Sequence, residues 1–311
     1  MNVLNQYLDE RMALYNGDTC EVITSIPSNS LHFSIFSPPF INLYTYSDSE
    51  RDLGNCKSKA EFFEQFAFIV RELYRCLMPG RLMAVHCMNY PLMKERDGVI
   101  GLSDFRGDLI RLFLECGFVY HSEVCIWKDP VIAMQRTKAL GLLYKQLKKD
   151  SAMSRQGIPD YLIVMRKPGE NPERITHTPE DFPCDMWQKY ASPVWFDINP
   201  SDTLNTAVAK DEKDEKHICP LQIQVIERSI ALWTNPGETV FSPFGGIGSE
   251  PYTALKMGRK AIAVELKPSW FDIMVKNCKN AVSDNQVTMF DLEETTETQE
   301  DENERTDISG V

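Results

Sequence analysis

Residues 238–248 read Glu-Thr-Val-Phe-Ser-Pro-Phe-Gly-Gly-Ile-Gly, and Ser249-Glu250 then opens a helical stretch that continues to Met257. The apolar start predicts a strand, the glycines predict a tight turn, and the remainder predicts a helix. Glycines in such a turn let the backbone take positive φ and approach a ligand closely. The segment therefore predicts an α/β fold with a ligand-binding turn. Taken alone, it also fits the βα turn of any Rossmann-like protein.

An acidic residue follows at the end of the next apolar strand. The run Ala261-Ile262-Ala263-Val264 leads directly to Glu265. A carboxylate in this position after a glycine turn can accept hydrogen bonds from both ribose hydroxyls of a nucleoside. No third glycine follows Gly248 at the spacing of a dinucleotide-binding turn. The pattern therefore favours a ligand that contains a single nucleoside.

A second corner, rich in proline, lies near the amino terminus. The apolar run 31–36 is typical of a buried parallel strand, and Ser37-Pro38-Pro39-Phe40 follows it. The prolines fix φ and remove two N–H donors, so the carbonyls there have little freedom. A hydroxyl, a rigid acceptor and a flat apolar face suit an exocyclic amine on a planar base. By itself the tetrapeptide also fits a stiff loop.

Together the two corners resemble the motifs of the amino-methyltransferases that modify exocyclic amines of DNA bases with S-adenosylmethionine. In that family the cofactor turn reads Phe-x-Gly-x-Gly, which Phe244 to Gly248 matches. The catalytic turn reads Ser/Asp/Asn-Pro-Pro-Tyr/Phe, which Ser37 to Phe40 matches. The catalytic motif comes first, in the permuted order typical of the family's beta group. The resemblance covers roughly residues 10–282.

The apolar runs and the resemblance imply an α/β fold: a Rossmann-like, doubly wound, mostly parallel sheet of about seven strands with an inserted DNA-recognition region. Strands are predicted at 11–15, 31–36, 81–88, 119–127, 160–166, 238–242 and 260–265. Helical patterns lie at 59–77, 104–116, 219–233, 249–257 and 268–282. The last hairpin, 119–127 with 160–166, is expected to be antiparallel by analogy with the family.

These patterns divide the chain into two halves of one methyltransferase domain with intervening segments. They are a catalytic half at 1–127, a basic DNA-contacting insertion at 128–159, the last sheet strand at 160–168, a candidate target-recognition segment at 169–216, a cofactor-binding half at 217–282 and an acidic, disordered tail at 283–311. Prolines and aromatic residues without regular periodicity mark the segment 169–216.

The resemblance implies a role for single residues on either side of the reaction. The implied catalytic residues are Ser37, Pro38, Pro39 and Phe40. The Ser37 hydroxyl and the Pro38 carbonyl would accept hydrogens from the amine, and Phe40 would stack on the base. The implied cofactor-binding residues are Asp18, His217, Pro220, Ser242, Pro243, Phe244, Gly245, Gly246, Gly248 and Glu265. Asp18 equally fits a helix N-cap, and His217 fits a surface histidine. The family usually carries Asp where this chain has Ser242, so the contact to the cofactor's amino group would be uncharged or supplied elsewhere.

The base that the enzyme would modify follows from the first motif position. In the family, Ser there is associated mostly with cytosine N4, and Asp or Asn with adenine N6. A hydroxyl can also donate to cytosine N3, so we expect cytosine N4, with adenine N6 as the alternative. Two other classes stay open: an inactive relative that only binds DNA or cofactor, and an RNA or protein methyltransferase, which would normally carry the glycine turn first.

DNA would meet a basic stretch between the two corners. Residues 128–155 contain seven basic and two acidic residues, and leucines interleave with them as in a helix with one buried stripe. Such a segment can follow phosphates, although it also fits a solvated helical face. The predicted DNA contacts are Lys128, Arg136, Lys138, Lys145, Lys148, Lys149 and Arg155, with Tyr44, Tyr46 and Arg51 on a loop after the proline corner.

Charge and cysteine content fit an intracellular enzyme that acts on double-stranded DNA. The net charge of −12 is concentrated in residues 284–311, which carry −9 and read as a solvated tail. The nine cysteines lack Cys-x-x-Cys spacing, so we expect neither zinc nor disulfides, and no other metal site is predicted. Without a signal-peptide pattern, the expected place is the cytoplasm of a bacterial or phage-infected cell, where a cognate restriction endonuclease would be a second partner.

Overall fold

In a computed structural model, which describes residues 3–39, 52–92, 94–137, 140–204 and 220–283, the chain forms a layered α/β fold. The strands are β1 (Val3–Leu8), β2 (Met12–Gly17), β3 (Leu31–Phe36), β4 (Leu77–Met88), β5 (Tyr90–Leu92), β6 (Gly101–Ser103), β7 (Val119–Ile126), β8 (Asp160–Arg166), β9 (Val194–Trp195), β10 (Thr239–Ser242) and β11 (Lys260–Glu265). Strands β5 and β6 form a separate antiparallel hairpin.

The other strands form one mixed sheet, nine strands wide within the described ranges, in the order β1-β2-β11-β10-β3-β4-β8-β7-β9. Strands β1 and β8 pair antiparallel with their neighbours, and the other pairs are parallel, so seven strands run in one direction. The chain order reverses between β10 and β3. Ligands of open α/β sheets bind at such a switch point, beyond the carboxyl ends of the strands.

Helices cover both faces of the sheet. They are α1 (Thr19–Val22), α2 (Lys59–Cys76), α3 (Lys94–Asp97), α4 (Phe105–Glu115), α5 (Pro130–Thr137), α6 (Tyr144–Lys149), α7 (Cys184–Tyr190), α8 (Ile223–Trp233), α9 (Ser249–Lys256) and α10 (268–283). Among these helices, none combines the length and the apolar character needed to cross a bilayer.

Alternation along the strands assigns side chains to two separate cores. On β3, Phe36 packs with the apolar faces of α2 and α4, whereas Phe33 and Ile35 pack with α8, α9 and α10 on the other face. On β4, Met83 and Val85 belong to the first core. Because successive side chains of a strand point to opposite faces, a central strand with helices on both sides must be apolar throughout. This is why β3 and β4 read as continuous apolar runs.

The prediction of a doubly wound, mostly parallel sheet is confirmed, while the strand number is higher than predicted. Each predicted strand is present, and β7 and β8 pair antiparallel. The additional strands β1 and β9 lie at the two sheet edges. An edge strand needs only one partner and can stay half in solvent, so β1 lacks the apolar run of a central strand: Leu4 and Leu8 are exposed.

Candidate active site

The two corners singled out from the sequence lie side by side at the switch point. Strands β3 and β10 pair through Phe33 with Val240, and the Ser34 hydroxyl donates to the Phe241 carbonyl over 3.0 Å. Ser37 follows the end of β3 and Pro243 follows the end of β10. Both residues line one cleft of about 390 Å³. The structure thus brings the proline corner and the glycine corner together.

Most of the described site residues that the sequence predicted reach this cleft. They are Asp18, Ser37, Pro38, Pro39, Pro220, Pro243, Phe244, Gly245, Gly246 and Glu265. The wall also contains polar residues that the sequence analysis did not select. These are Thr19, Cys20, Asp52, Gln65, Ser249, Glu250 and Lys267. The cleft therefore carries an excess of carboxylates over basic side chains.

The two glycines at the start of the corner have different surroundings. A Cβ on Gly245 would lie 2.6 Å from the Met274 sulfur and 3.2 Å from the Val264 carbonyl oxygen. Gly246 has φ of +52° with open space where its Cβ would stand, and its N–H donates to Glu265 Oε2 over 2.7 Å. The corner thus presents bare backbone to the cleft, which allows a ligand to approach closely.

Two buried glutamates face this corner. Glu265 accepts N–H bonds from Gly246 and, over 2.8 Å, from Lys267. Burial raises the pKa of Glu265 to about 7, although those N–H groups act against the shift. Burial likewise raises the pKa of Glu250 to about 8, and the charge of Glu265 adds to the shift. A cation bound in the cleft would favour the ionised form of both side chains.

Asp18 lines the cleft and is the N-cap of α1. Its carboxylate accepts the Cys20 N–H over 2.8 Å, so the N-cap interpretation of Asp18 is correct. The next residue, Thr19, donates its hydroxyl to the Pro243 carbonyl over 2.5 Å. This bond joins α1 to the glycine corner and holds Asp18 beside it.

Two residues assigned to the cofactor stand behind the cleft wall. Ser242 is buried, its hydroxyl has no hydrogen-bond partner among the described residues, and it does not line the cleft. Gly248 is the N-cap of α9, with φ of +96°, and packs against Met274. Neither residue is part of the lining of the cleft. Gly248 gives the corner its shape.

The Ser37 hydroxyl is hydrogen-bonded to a histidine that sequence reasoning missed. Ser37 Oγ lies 2.7 Å from His86 Nδ1, and His86 Nε2 lies 3.2 Å from Asp160 Oδ2. The alignment of the second contact is poorer than that of a hydrogen bond. Lys128 Nζ lies 2.6 Å from Asp160 Oδ1. A polar histidine inside the apolar run 81–88, near the carboxyl end of its strand, was the available signal.

The basic stretch does not form the predicted helix with one buried leucine stripe. It breaks around Gly141 into the short helices α5 and α6, and α6 buries no residue. Leu147 is 48% exposed. Neither helix is long enough to present a continuous apolar stripe, so the leucines do not anchor it. That expectation is wrong.

The basic side chains of this stretch differ in what they can offer to DNA. Lys145, Lys148 and Lys149 are exposed on α6, with the Lys148 ammonium 4.9 Å from the centre of the Tyr144 ring. Arg155 donates to the Gln156 carbonyl over 3.1 Å, and burial lowers the pKa of its guanidinium. Lys128 forms an ion pair with Asp160, so the charge of the lysine is balanced within the protein.

Several predicted residues lie outside the part of the chain that the structure describes. They are Phe40, Tyr44, Tyr46, Arg51, Lys138, His217, residues 205–216 of the candidate target-recognition segment and residues 284–311 of the acidic tail, whose predicted first residue, Ser283, lies in α10. Arg136 belongs to α5, but its side chain is outside the described part of the chain. Their roles stay predictions.

One further group of acidic and histidine side chains stands away from the cleft. His32, Glu173 and Glu238 have ligand-type atoms within 4.8 Å of one another. His32 Nδ1 accepts the Thr239 N–H over 3.1 Å, so its proton must be on Nε2, which faces Glu173. Glu238 forms an ion pair with the buried Arg81. The hydrogen bonds within the protein thus account for all three side chains.

Comparison with known proteins gives a consistent picture. A family model for N6- and N4-methyltransferases, described as DNA methylase, matches residues 22–276. The type II beta methyltransferase M.BslI of Bacillus sp. (strain NEB-606) is 21% identical over 280 residues, covering 87% of this chain and 28% of that protein. The type II methyltransferase M.BglII of Bacillus subtilis is 22% identical over 262 residues, covering 84% and 67%. The chain thus spans little more than a quarter of the first relative's length and about two thirds of the second's.

Solved structures share the fold. A proposed DNA modification methylase from Thermus thermophilus, in complex with S-adenosyl-L-methionine, matches with a TM-score of 0.64 at 21% identity, covering 88% of this chain and 96% of that chain. The PvuII DNA methyltransferase, which is specific for cytosine N4, matches with a TM-score of 0.62 at 20% identity, covering 89% and 90%. At these identities the likeness shows a common architecture.

Proposed function

The chain belongs to the DNA methylase family, and on that premise we propose that it transfers a methyl group from S-adenosylmethionine to the exocyclic amine of a base in double-stranded DNA. One observation carries the proposal: Ser37 to Pro39 and Pro243 to Gly246 line the same cleft. A donor held by the glycine corner and an acceptor held by the proline corner would therefore be neighbours.

The cleft suits this cofactor by size and by charge. Its volume of about 390 Å³ lies within the range of small-molecule sites. Gly246 leaves bare backbone beside Glu265, and a carboxylate at the end of this strand would accept hydrogen bonds from ribose hydroxyls. Asp18 adds negative charge around a ligand that carries a sulfonium and an ammonium group, and such a cation would favour the ionised form of Glu250. When bound, the cofactor supplies an electrophilic methyl group on that sulfonium.

The proline corner would hold the amine. An aromatic amine is a poor nucleophile because its lone pair is delocalised into the ring. The Ser37 hydroxyl and the Pro38 carbonyl accept hydrogens from the amine, which draws the nitrogen toward tetrahedral geometry and localises the lone pair. Because the amine is unreachable inside a duplex, the base must leave the stack, at a cost of roughly a few kcal/mol. We propose that Phe40 then stacks on it, contributing about 1–3 kcal/mol.

We propose cytosine N4 as the acceptor, with adenine N6 as the alternative. The preference rests on Ser37 at the first motif position, since family members with Ser there act mostly on cytosine N4. Both bases present an amine next to a ring nitrogen, so the same corner could hold either of them. Identification of the methylated nucleoside distinguishes the two.

DNA would approach the carboxyl ends of the central strands β3 and β10, which the two corners follow. We propose that Lys145, Lys148 and Lys149 on α6 contact phosphates, since all three are exposed. Such contacts position the duplex and carry no sequence information. The segment 169–216 is proposed to read the target sequence. A restriction endonuclease as partner remains a proposal by analogy with the type II relatives.

The experiment is methyl transfer from tritiated cofactor by the purified full-length chain. Unmethylated DNA, structured RNA and a protein extract serve as parallel acceptors, and calorimetry with S-adenosylhomocysteine measures cofactor binding. We expect label in DNA alone. Binding without transfer to any acceptor would identify an inactive relative, and label in RNA or protein alone would contradict the proposal. Single-molecule sequencing of DNA from a methylation-free host that expresses the chain would give the recognition sequence.

A further inference from the structure

His86 is placed next to Ser37 by strand pairing. Strand β3 pairs with β4 so that Phe36 is opposite Val85. Ser37 follows Phe36, and His86 follows Val85. Ser37 Oγ and His86 Nδ1 are 2.7 Å apart. Ser37 lines the cleft, whereas His86 is buried behind it. Any change in the hydrogen bonding of His86 therefore reaches the cleft through the Ser37 hydroxyl.

A buried carboxylate faces the other nitrogen of the His86 ring. Strand β8 begins at Asp160, whose side chain is 3% exposed and lies between His86 Nε2, at 3.2 Å, and Lys128 Nζ, at 2.6 Å. Burial alone would raise the pKa of Asp160, but His86 and Lys128 together hold that pKa below its ordinary value. The carboxylate is thus ionised at neutral pH, and it is an acceptor only.

The ionised carboxylate sets the tautomer of the ring. In its neutral form, which the proposal requires, the imidazole has one N–H, and next to the Asp160 carboxylate that hydrogen is favoured on Nε2. Nδ1 then has a free lone pair and can only accept. The Ser37 hydroxyl has a single hydrogen, and the 2.7 Å contact directs it to His86 Nδ1. Both lone pairs of Ser37 Oγ remain for the cleft.

We propose that His86, oriented by Asp160 and Lys128, is a positioning residue for Ser37. It keeps the Ser37 hydroxyl as a hydrogen-bond acceptor for the substrate amine, and it takes up the hydroxyl proton of Ser37 after methyl transfer. The proposal rests on the proposed function. In the transfer, the nitrogen–carbon bond forms as the carbon–sulfur bond breaks, and the bonding pair stays with sulfur. The methylated nitrogen then gives a proton to Ser37 Oγ, while the hydroxyl proton of Ser37 passes to His86 Nδ1. Asp160 stabilises the imidazolium that results.

The orientation of the Ser37 hydroxyl also affects which base the site would favour. A hydroxyl whose hydrogen points to His86 cannot donate to cytosine N3. With the hydroxyl in this orientation, only the motif resemblance favours cytosine N4 over adenine N6.

A direct test is the tautomer of His86 in the intact protein. The chain has five histidines, so side-chain ¹⁵N–¹H spectra of the ¹⁵N-histidine-labelled protein contain signals from five imidazole rings. The signal lost in His86→Gln identifies His86. We expect the Nε2–H tautomer at pH 7.5. The Nδ1–H tautomer, or an imidazolium, would overturn the proposal, since either would donate to Ser37.

A kinetic test shows whether His86 acts through Ser37. In single turnover we expect His86→Gln to slow methyl transfer at least tenfold, with dissociation constants for DNA and S-adenosylhomocysteine within twofold of the wild-type values. In a Ser37→Ala background the same substitution should change the rate less than twofold. His121→Gln, on the exposed part of β7, is the matched control with an unchanged rate.

Two kinetic results would contradict the proposal: an unchanged rate in His86→Gln, or an equal loss in both backgrounds. Thermal melting establishes that each variant is folded, and Asp160→Asn, which removes the charge that fixes the tautomer, is the second variant if His86→Gln does not fold. A wild-type chain that methylates no acceptor would overturn the proposed function, whereas the tautomer spectrum would still decide the role of His86.

Discussion

The ring of Phe36 packs against the ring of Phe244, with the two centroids 5.7 Å apart. Phe36 is the last residue before the proline corner, and Phe244 belongs to the glycine corner. The Phe66 ring on α2 lies 6.2 Å from Phe244 and completes the cluster. The two corners are thus held at a fixed distance by side-chain packing as well as by the pairing of β3 with β10.

Removing the Phe244 ring should weaken both the fold and the site. We expect Phe244→Ala to lower the free energy of unfolding by about 2–4 kcal/mol, because a half-buried ring in an aromatic cluster is lost. Since the glycine corner loses its support, binding of S-adenosylhomocysteine should weaken at least tenfold. Denaturant titration and calorimetry measure the two effects.

The matched control is Phe68→Ala on α2, where the ring is 58% exposed. We expect less than about 1 kcal/mol of destabilisation there. Equal effects of the two substitutions would mean that the Phe36–Phe244 contact does not support the corner.

The backbone of the glycine corner should not tolerate a side chain at Gly248. Its φ of +96° is unfavourable for L residues, and a Cβ would lie 3.2 Å from the Met274 Cα. We expect Gly248→Ala to cost about 2–3 kcal/mol of unfolding free energy. Gly258→Ala, at φ of +75° with open space around the Cβ, should cost only about 1 kcal/mol. Similar melting temperatures for the two variants would contradict this.

Glu250 should make stability depend on pH. Its pKa is raised from 4.5 to about 8, so the folded state binds more protons than the unfolded state between these values. The contribution of Glu250 to stability therefore falls as pH rises through this window. The unfolding free energy of Glu250→Gln, minus that of wild type, should therefore increase by on the order of 3 kcal/mol from pH 5 to pH 8.

Urea titrations at several pH values measure this difference. The exposed Glu64→Gln on α2 serves as the control, with a difference that stays flat. A flat difference for Glu250→Gln as well would show that its carboxyl group titrates normally in the folded protein.

Lys128 should differ from the lysines of α6 in DNA binding. The logarithm of affinity falls with the logarithm of salt concentration by about 0.9 for each phosphate contacted. Because Lys128 is paired with Asp160, we expect Lys128→Gln to leave this slope unchanged. Joint replacement of Lys145, Lys148 and Lys149 by Gln should reduce it by about 2–3. A reduced slope in Lys128→Gln would restore Lys128 as a phosphate contact.

The central part of the fold could be predicted because its signals are local. Strands β3, β4 and β8 are buried on both faces and therefore read as apolar runs, and the glycine turn marks the start of α9. Strand β9 has two residues and could not be recognised from periodicity. The leucine stripe failed because periodicity alone does not show what a segment packs against.

The site was predictable where a motif encodes backbone geometry, as at Ser37 to Pro39 and at Gly245 and Gly246. His86 was missed because its partners are distant in sequence. Asp160 and Lys128 come next to it only through the pairing of β4, β8 and β7, which no local pattern specifies. Glu250 was missed because an acid in the first turn of a helix is ordinary; its burial in the cleft is a property of the fold.

We propose that the proline corner and the glycine corner form one methyl-transfer site. The most direct measurement is mass spectrometry of nucleosides from DNA treated with wild type or with Ser37→Ala, together with the dissociation constant for S-adenosylhomocysteine. We predict N4-methyldeoxycytidine with wild type, at least a hundredfold less with Ser37→Ala, and dissociation constants within twofold of each other. Equal methylation by both proteins would show that the proline corner does not take part in methyl transfer.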